Sequence, residues 1–426
     1  MKIKVINKSY DSVMAQKPPK HKKPIKPNIF FRTLMRLLAI KDLKATNFKY
    51  EKVGMEKLGK NEPALYIMNH SSFIDLEIVP KIFYPRPFNI VATTDAFVGK
   101  EYLMRHIGCI PTKKFVSEPT LIKDIVYCLK KLKSSVVIFP EAGYSFDGRA
   151  TKVPKTLAQL VKNLGVPLVM IKTYGAFLRD PLYNNLQVRD VDVSAVEEYL
   201  FSVEQIKNMS VDEIDAVIQQ RFSFDSFLWQ KENKIKIDEP FRADYLHRLL
   251  YKCPKCMQEG KMIGEGTQIK CTACGCTHTL TEYGELKSDE KTYFSHIPDW
   301  YDWEREQVRN EIKQGTYRME SDVEIMMANG TKCLYGVGDG HIIHDTEGIH
   351  LTGCDGKLVY HHKPLSSYTL NSDYNWYEIG DMIGIGNRSF IYYCFPKSKE
   401  FSVSKARIAA EQLYELTLNK RNKTEL

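Results

Sequence analysis

Between residues 60 and 230, strand-sized apolar runs alternate with helical segments, and this alternation restricts the fold more than any other feature of the chain. Residues 64–68, 90–92, 135–139 and 166–171 are short, almost unbroken apolar runs, the pattern of strands buried on both faces. The stretches near 72–83, 96–106, 117–133 and 155–164 read as helices. A further helix near 211–221 opens on Ser210-Val211-Asp212-Glu213, a capping-box pattern. Such βαβ alternation predicts an α/β sheet flanked by helices on both faces.

At 426 residues the chain is too long for one such core, and its remaining segments differ in kind. Residues 1–27 are rich in Lys and Pro, a composition that builds no core, and predict a basic flexible arm. Residues 28–44 hold Phe30, Phe31, Leu34, Met35, Leu37 and Leu38 on one broad stripe flanked by Arg32 and Arg36, which predicts an amphipathic helix at a membrane interface. The α/β domain is expected over 45–235. A cysteine module follows over 250–282, and a connector over 283–315 with a helical run from Asp302 to about Lys313. Over 316–426, strand-like runs alternate with turn dipeptides at Asn329-Gly330, Asp339-Gly340 and Asp355-Gly356. Ser404 then caps a final helix to about Asn419, and this order of elements resembles that of a pleckstrin-homology-like barrel.

The net charge of +9 is unevenly spread: the first 60 residues carry +12 and the rest −3. A basic head beside an amphipathic stripe suits an anionic membrane surface. No run approaches the length of a spanning helix, and the Met1 end lacks the apolar core of a signal peptide. The expectation is a cytoplasmic protein, peripheral on the inner face of the membrane.

Three blocks fall where buried strands run into polar loops, the edge at which active sites of open α/β sheets collect. The first is Asn69-His70-Ser71-Ser72-Phe73-Ile74-Asp75. Asp75, one turn into a helix, can turn back to accept the imidazole Nδ1–H of His70 and leave Nε2 free to take a proton. The second, Gly108-Cys109-Ile110-Pro111-Thr112-Lys113-Lys114, brings two adjacent cations to the end of a strand. The third, Phe139-Pro140-Glu141-Ala142-Gly143-Tyr144-Ser145, should turn Glu141 into the same crevice as His70.

In this order and spacing the blocks resemble the motifs of the glycerolipid acyltransferase family that includes the 1-acylglycerol-3-phosphate acyltransferases. The first matches N-H-x4-D in full. The second is similar to G-x-I-P-x-x-R through Gly108, Ile110 and Pro111, with Lys114 in the arginine position. The third resembles F-P-E-G-T-R-S through Phe139, Pro140, Glu141 and Ser145, and Val166-Pro167-Leu168 resembles the fourth, V-P-[IVL]. The resemblance covers about 45–230. It implies transfer of a fatty acyl group from a thioester, acyl-CoA or acyl carrier protein, to the hydroxyl of a lysophospholipid, with 1-acylglycerol-3-phosphate the leading acceptor and another lysolipid or a lyso-glycolipid the alternative. It further implies His70 as general base, Asp75 as its orienting carboxylate, and Lys113, Lys114 and Glu141 around the acceptor's head. Tyr144 stands where relatives carry arginine, so Arg149 or Lys152 is expected to supply the missing charge.

Cys253-Pro254-Lys255-Cys256, fourteen residues, then Cys271-Thr272-Ala273-Cys274 is zinc-ribbon spacing. Four thiolates fill a tetrahedral Zn²⁺ and leave no open position, so the metal is expected to be structural. A ribbon with a basic arm also raises a nucleic-acid-binding module as an alternative of another class. The mixed charges of 253–280 and the distance of the arm in sequence disfavour it. His341, His344, His350, His361 and His362 are expected on strand faces and loops. None of these signals sets an oligomeric state.

Overall fold

The protein is described from a computed structural model, over residues 3–17, 19–116, 118–151 and 153–424. Its first strand, β1 (Val5–Asn7), lies within the expected flexible arm and pairs in parallel with Leu334–Gly336 of the C-terminal domain. This corrects the expectation of a flexible arm for its described residues. Val13 is fully buried, and Lys26 donates through Nζ to the Leu132 carbonyl. The Ile25 carbonyl accepts from Asn89, and those of Lys22 and Lys23 accept from Arg105. A Lys- and Pro-rich segment has no core of its own, but its backbone carbonyls satisfy donors of the domain beneath it, so it wraps the molecule as a strap.

The α/β domain contains β2 (Lys49–Val53), β3 (Leu65–Met68), β4 (Phe88–Thr93), β5 (Cys109–Thr112), β6 (Ser135–Ile138), β7 (Leu168–Tyr174) and β8 (Ser194–Phe201), in the order β2-β8-β7-β3-β6-β4-β5. Strands β3 to β7 are parallel, whereas β8 runs antiparallel to β7 with β2 beside it. The period-two alternation of a strand divides the centre of the sheet between two apolar layers. Tyr66 and Met68 pack with Ile78, Val79 and Phe83 on one face. Leu65 and Ile67 pack with Ile125, Leu157, Val161 and Ile218 on the other. β2 and β8 escape a search for apolar runs because β2 reads Lys-Tyr-Glu-Lys-Val at the sheet edge and β8 buries Glu197 among its apolar residues.

The cysteine module forms a small sheet of β9 (Met262–Glu265), β10 (Gln268–Cys271), β11 (Thr277–Leu280) and β12 (Leu286–Lys287). The connector helix, Ile297–Gln314, begins five residues before its expected start, with Pro298 in its first turn, where the missing N–H costs nothing.

The C-terminal domain comprises β13 (Arg318–Ala328), β14 (Leu334–Asp345), β15 (Gly348–Gly353), β16 (Leu358–His362), β17 (Asn371–Trp376), β18 (Gly380–Gly386) and β19 (Ile391–Pro396). They are ordered β16-β15-β14-β13-β19-β18-β17 and followed by the helix Val403–Thr424. Asn329-Gly330 and Asp355-Gly356 join hairpins as expected. Asp339-Gly340 instead lies inside β14, where a Cβ on Gly340 would stand 2.4 Å from the Thr352 carbonyl oxygen, so close strand approach explains that glycine. The last helix is capped by Ser402, not Ser404: the Ser402 hydroxyl accepts from the Lys405 N–H at 3.1 Å. The five C-terminal histidines all lie on strands β14 to β16.

Candidate active site and metal centre

Because β3, β5, β6 and β7 are parallel, the blocks that follow them converge on one edge of the sheet. His70 leaves β3 and Asp75 opens the helix Asp75–Phe83. The Nδ1 of His70 lies 3.2 Å from Asp75 Oδ2, which also accepts from the Ser71 and Ser72 N–H groups at 2.7 and 3.0 Å. Asp75 is fully buried, so these donors orient it and compensate its charge. Nδ1–H donation to Asp75 leaves the Nε2 lone pair available. The imidazole is held between rings, with Phe139 stacked at 4.1 Å and Tyr144 at 4.4 Å between centroids, and 17% of its side chain stays exposed.

Thr173, at the end of β7, completes this arrangement. Its N–H and hydroxyl donate to Asn69 Oδ1 at 2.8 and 3.2 Å, and the hydroxyl lies 3.4 Å from Asp75 Oδ1. Thr173 escapes motif reading, yet its place at the C-terminal end of a central parallel strand is the signal that would have singled it out.

Glu141 stands differently from its expected place around the acceptor's head. Its Oε2 accepts from the His70 N–H at 2.8 Å and its Oε1 from the Thr151 N–H at 2.7 Å. Both carboxylate oxygens therefore brace backbone, one of them that of His70 itself. Burial pushes this carboxyl up to about 7, against the pull of those two amides.

Two of the expected phosphate ligands are also committed. Lys113 Nζ lies 3.2 Å from Glu118 and donates to the Arg388 carbonyl of the C-terminal domain at 2.7 Å. Arg149 forks onto Asp302 of the connector helix at 2.6 and 2.7 Å and donates through Nε to Asp147 at 2.8 Å. It is a joint between the α/β domain and the connector, not a free guanidinium at the crevice. Lys114 acts electrostatically on Asp373 of β17 and makes no ion pair closer than 4 Å among the described residues. Lys152 lies outside the described residues.

The four Sγ atoms of Cys253, Cys256, Cys271 and Cys274 lie within 4.8 Å of one another. Cys253 to Cys274 is 3.6 Å and Cys256 to Cys271 is 3.7 Å, far beyond a disulfide and close to the ~3.8 Å edge of a tetrahedron with ~2.3 Å metal–sulfur bonds. Backbone N–H groups point at three of the sulfurs: those of Lys255 and Cys256 at Cys253, that of Gln258 at Cys256, and that of Cys276 at Cys274. The cluster fits a metal ion held by four thiolates. Cys276 and His278 are outside this set of four, though the Cys276 thiol borders it beside Cys253. The His278 ring packs on Trp300 and its Nε2 accepts from the Tyr293 N–H at 3.3 Å.

The Acyltransferase family model matches residues 49–172. Over 133 residues the chain is 29% identical to the chloroplastic 1-acyl-sn-glycerol-3-phosphate acyltransferase LPAT1 of Arabidopsis thaliana, a match covering 30% of this chain and 36% of that protein. The chain thus spans about a third of that relative's length. It also shows a likeness to the crystal structure of the 1-acyl-sn-glycerophosphate acyltransferase PlsC of Thermotoga maritima, at 14% identity and a TM-score of 0.35, over 45% of this chain and 76% of that one. The motif residues gathered at one sheet edge all lie inside the span that matches the Acyltransferase family model, and in this the chain resembles the glycerolipid acyltransferases.

Proposed function

We propose that the protein transfers a fatty acyl group from a thioester, acyl-CoA or acyl carrier protein, to the free hydroxyl of a lysolipid at a membrane surface. His70 Nε2 removes the hydroxyl proton as the oxygen attacks the thioester carbonyl. The C–S bond then breaks, and the proton on His70 passes to the departing thiolate. Asp75 holds the ring in the required tautomer and balances the imidazolium as it forms. The thioester is already activated, so a serine nucleophile has no part in the scheme, and Ser71 and Ser72 serve through their N–H groups. The observation that carries this reading is the His70–Asp75 pair: a braced imidazole whose Nε2 has no hydrogen-bond partner among the described residues.

By resemblance, the acceptor is 1-acylglycerol-3-phosphate and the product phosphatidic acid. A second acceptor class, lysolipids without a phosphomonoester, is favoured by the engagement of Lys113, Arg149 and Glu141 elsewhere.

The helix Ile29–Leu38 supports attachment to a membrane. It packs on the helix Asp75–Phe83 and turns Ile29, Phe30, Leu37 and Leu38 outward, each more than half exposed. Phe73 and Leu76, exposed beside the His70 loop, lie on the neighbouring element, so acceptor lipid could reach the crevice from the membrane plane. No helix among the described residues is long and apolar enough to cross a membrane. We place the protein on an anionic, cytoplasmic membrane face and assign the four cysteines to a structural Zn²⁺.

The test is an acyl-transfer assay over a panel of lysolipids with wild type and His70→Ala. Loss of the base should lower kcat by about 10²- to 10⁴-fold with the fold retained. Full activity in the variant would refute the mechanism.

A further inference from the structure

His70 is held by its backbone as well as by its ring. The Glu141 carboxylate accepts from its N–H at 2.8 Å, and the Ser145 N–H donates to its carbonyl at 3.2 Å. Both partners belong to segment 141–151, which follows β6 and closes on itself. The Ser145 hydroxyl donates to the Arg149 carbonyl at 2.7 Å, and the Thr151 N–H donates to the second oxygen of Glu141 at 2.7 Å. A shift of this segment therefore shifts the peptide groups on either side of the imidazole.

The segment contains no helix or strand, only an isolated bridge from Arg149 to Asp225, so its place is set by what it touches. Its outer end is gripped by the connector helix. Both terminal nitrogens of Arg149 donate to the Asp302 carboxylate, and one of them also reaches the Pro298 carbonyl, a turn earlier, at 3.4 Å. Asp147 accepts from the Arg149 Nε at 2.8 Å and from its backbone N–H at 3.1 Å, which ties the direction of the guanidinium to the course of the main chain. A planar fork fixes orientation where a single charge would fix only distance. Phe146, 3% exposed, lies in the apolar cluster that contains Trp300 and Tyr301 of the same helix.

We propose that Asp302, on a helix outside the span of the Acyltransferase family model, is a positioning residue for His70. It acts through Arg149: the fork holds segment 141–151, and that segment holds the backbone of the base. The inference rests on the proposed acyl transfer. Asp302 is half exposed, so its ion pair adds little to stability, whereas misplacing a base by about 1 Å can cost about a hundredfold in rate.

The test uses the full chain, an acyl-CoA donor and the lysolipid panel. Asp302→Ala should lower kcat by about 10- to 100-fold and leave KM for both substrates within about twofold. Arg149→Ala should do the same, and the double variant should fall no further than Arg149→Ala alone. Amide hydrogen exchange, read by mass spectrometry without substrate, should accelerate at least tenfold in residues 139–151 of Asp302→Ala, while β13 and β19 keep wild-type rates. If Asp302→Ala does not fold, Asp302→Asn carries the same measurements. A folded variant with wild-type kcat, or with wild-type exchange over 139–151, overturns the inference and leaves acyl transfer standing. No transfer by the wild type overturns the acyltransferase reading itself, and the exchange measurement still decides whether Asp302 holds the loop.

Discussion

Glu141→Gln separates the two effects that converge on the buried brace beneath His70. The wild-type carboxylate accepts from two backbone amides, at 2.8 and 2.7 Å. Glutamine offers one oxygen and turns an NH2 toward the other amide. Leaving one buried N–H without an acceptor costs about 1–3 kcal/mol. Against this, the wild-type carboxyl is raised from 4.5 to about 7 by burial, so its ionisation inside the fold costs about 3 kcal/mol once the pH exceeds 7, and glutamine escapes that cost. The folded chain binds more protons than the unfolded chain between those two values, so wild-type stability falls as pH rises through the window. Denaturant titrations at pH 5 and pH 8 should therefore find the variant less stable at pH 5 and close to wild type at pH 8, a relative shift of about 2–3 kcal/mol. At pH 8 its kcat should still be about 10- to 100-fold lower, because the His70 backbone loses part of its anchor. The same destabilisation at both pH values would refute the buried-carboxyl argument, and wild-type kcat would refute the brace.

Three further outcomes follow from other parts of the molecule. Purified protein should contain one zinc per chain, and a chelator or Cys271→Ser should lower Tm while still-folded protein keeps its initial transfer rate; immediate loss of chemistry without unfolding would show a metal that takes part in the reaction. Replacing Phe30 and Leu37 by serine should remove about 1.5–3 kcal/mol of apolar burial each and weaken binding to anionic vesicles more than tenfold, measured by co-sedimentation at fixed salt; unchanged sedimentation would detach this helix from the membrane. A double-mutant cycle on Arg149 and Asp302 should return a coupling of about 1 kcal/mol in thermal unfolding, held down by the exposure of Asp302, and zero coupling would argue against this joint between domain and connector.

The central strands, the blocks at their ends and the cysteine knuckles were legible in one dimension because each depends on neighbours in sequence. Leu65 and Ile67 alternate with Tyr66 and Met68 whatever they later touch, and His70 reaches Asp75 across five residues. β2 and β8 were not legible, since β2 reads as polar at the sheet edge and Glu197 is tolerated in β8 through Tyr66, Arg86 and Lys52. The arm read as unstructured because its composition lacks a core, and its order comes from side-chain donors and a strand pairing offered by segments 60 to 330 residues away.

Sequence alone determined the α/β architecture, the pairing of His70 with Asp75 on which the proposed base rests, and the gathering of four cysteines, all products of local periodicity and short spacing. Only the tertiary structure decided the roles of Glu141, Lys113 and Arg149. Their charges are the same in any fold, but what a charge does depends on its nearest partner, and those partners are the Thr151 amide, the Arg388 carbonyl and Asp302.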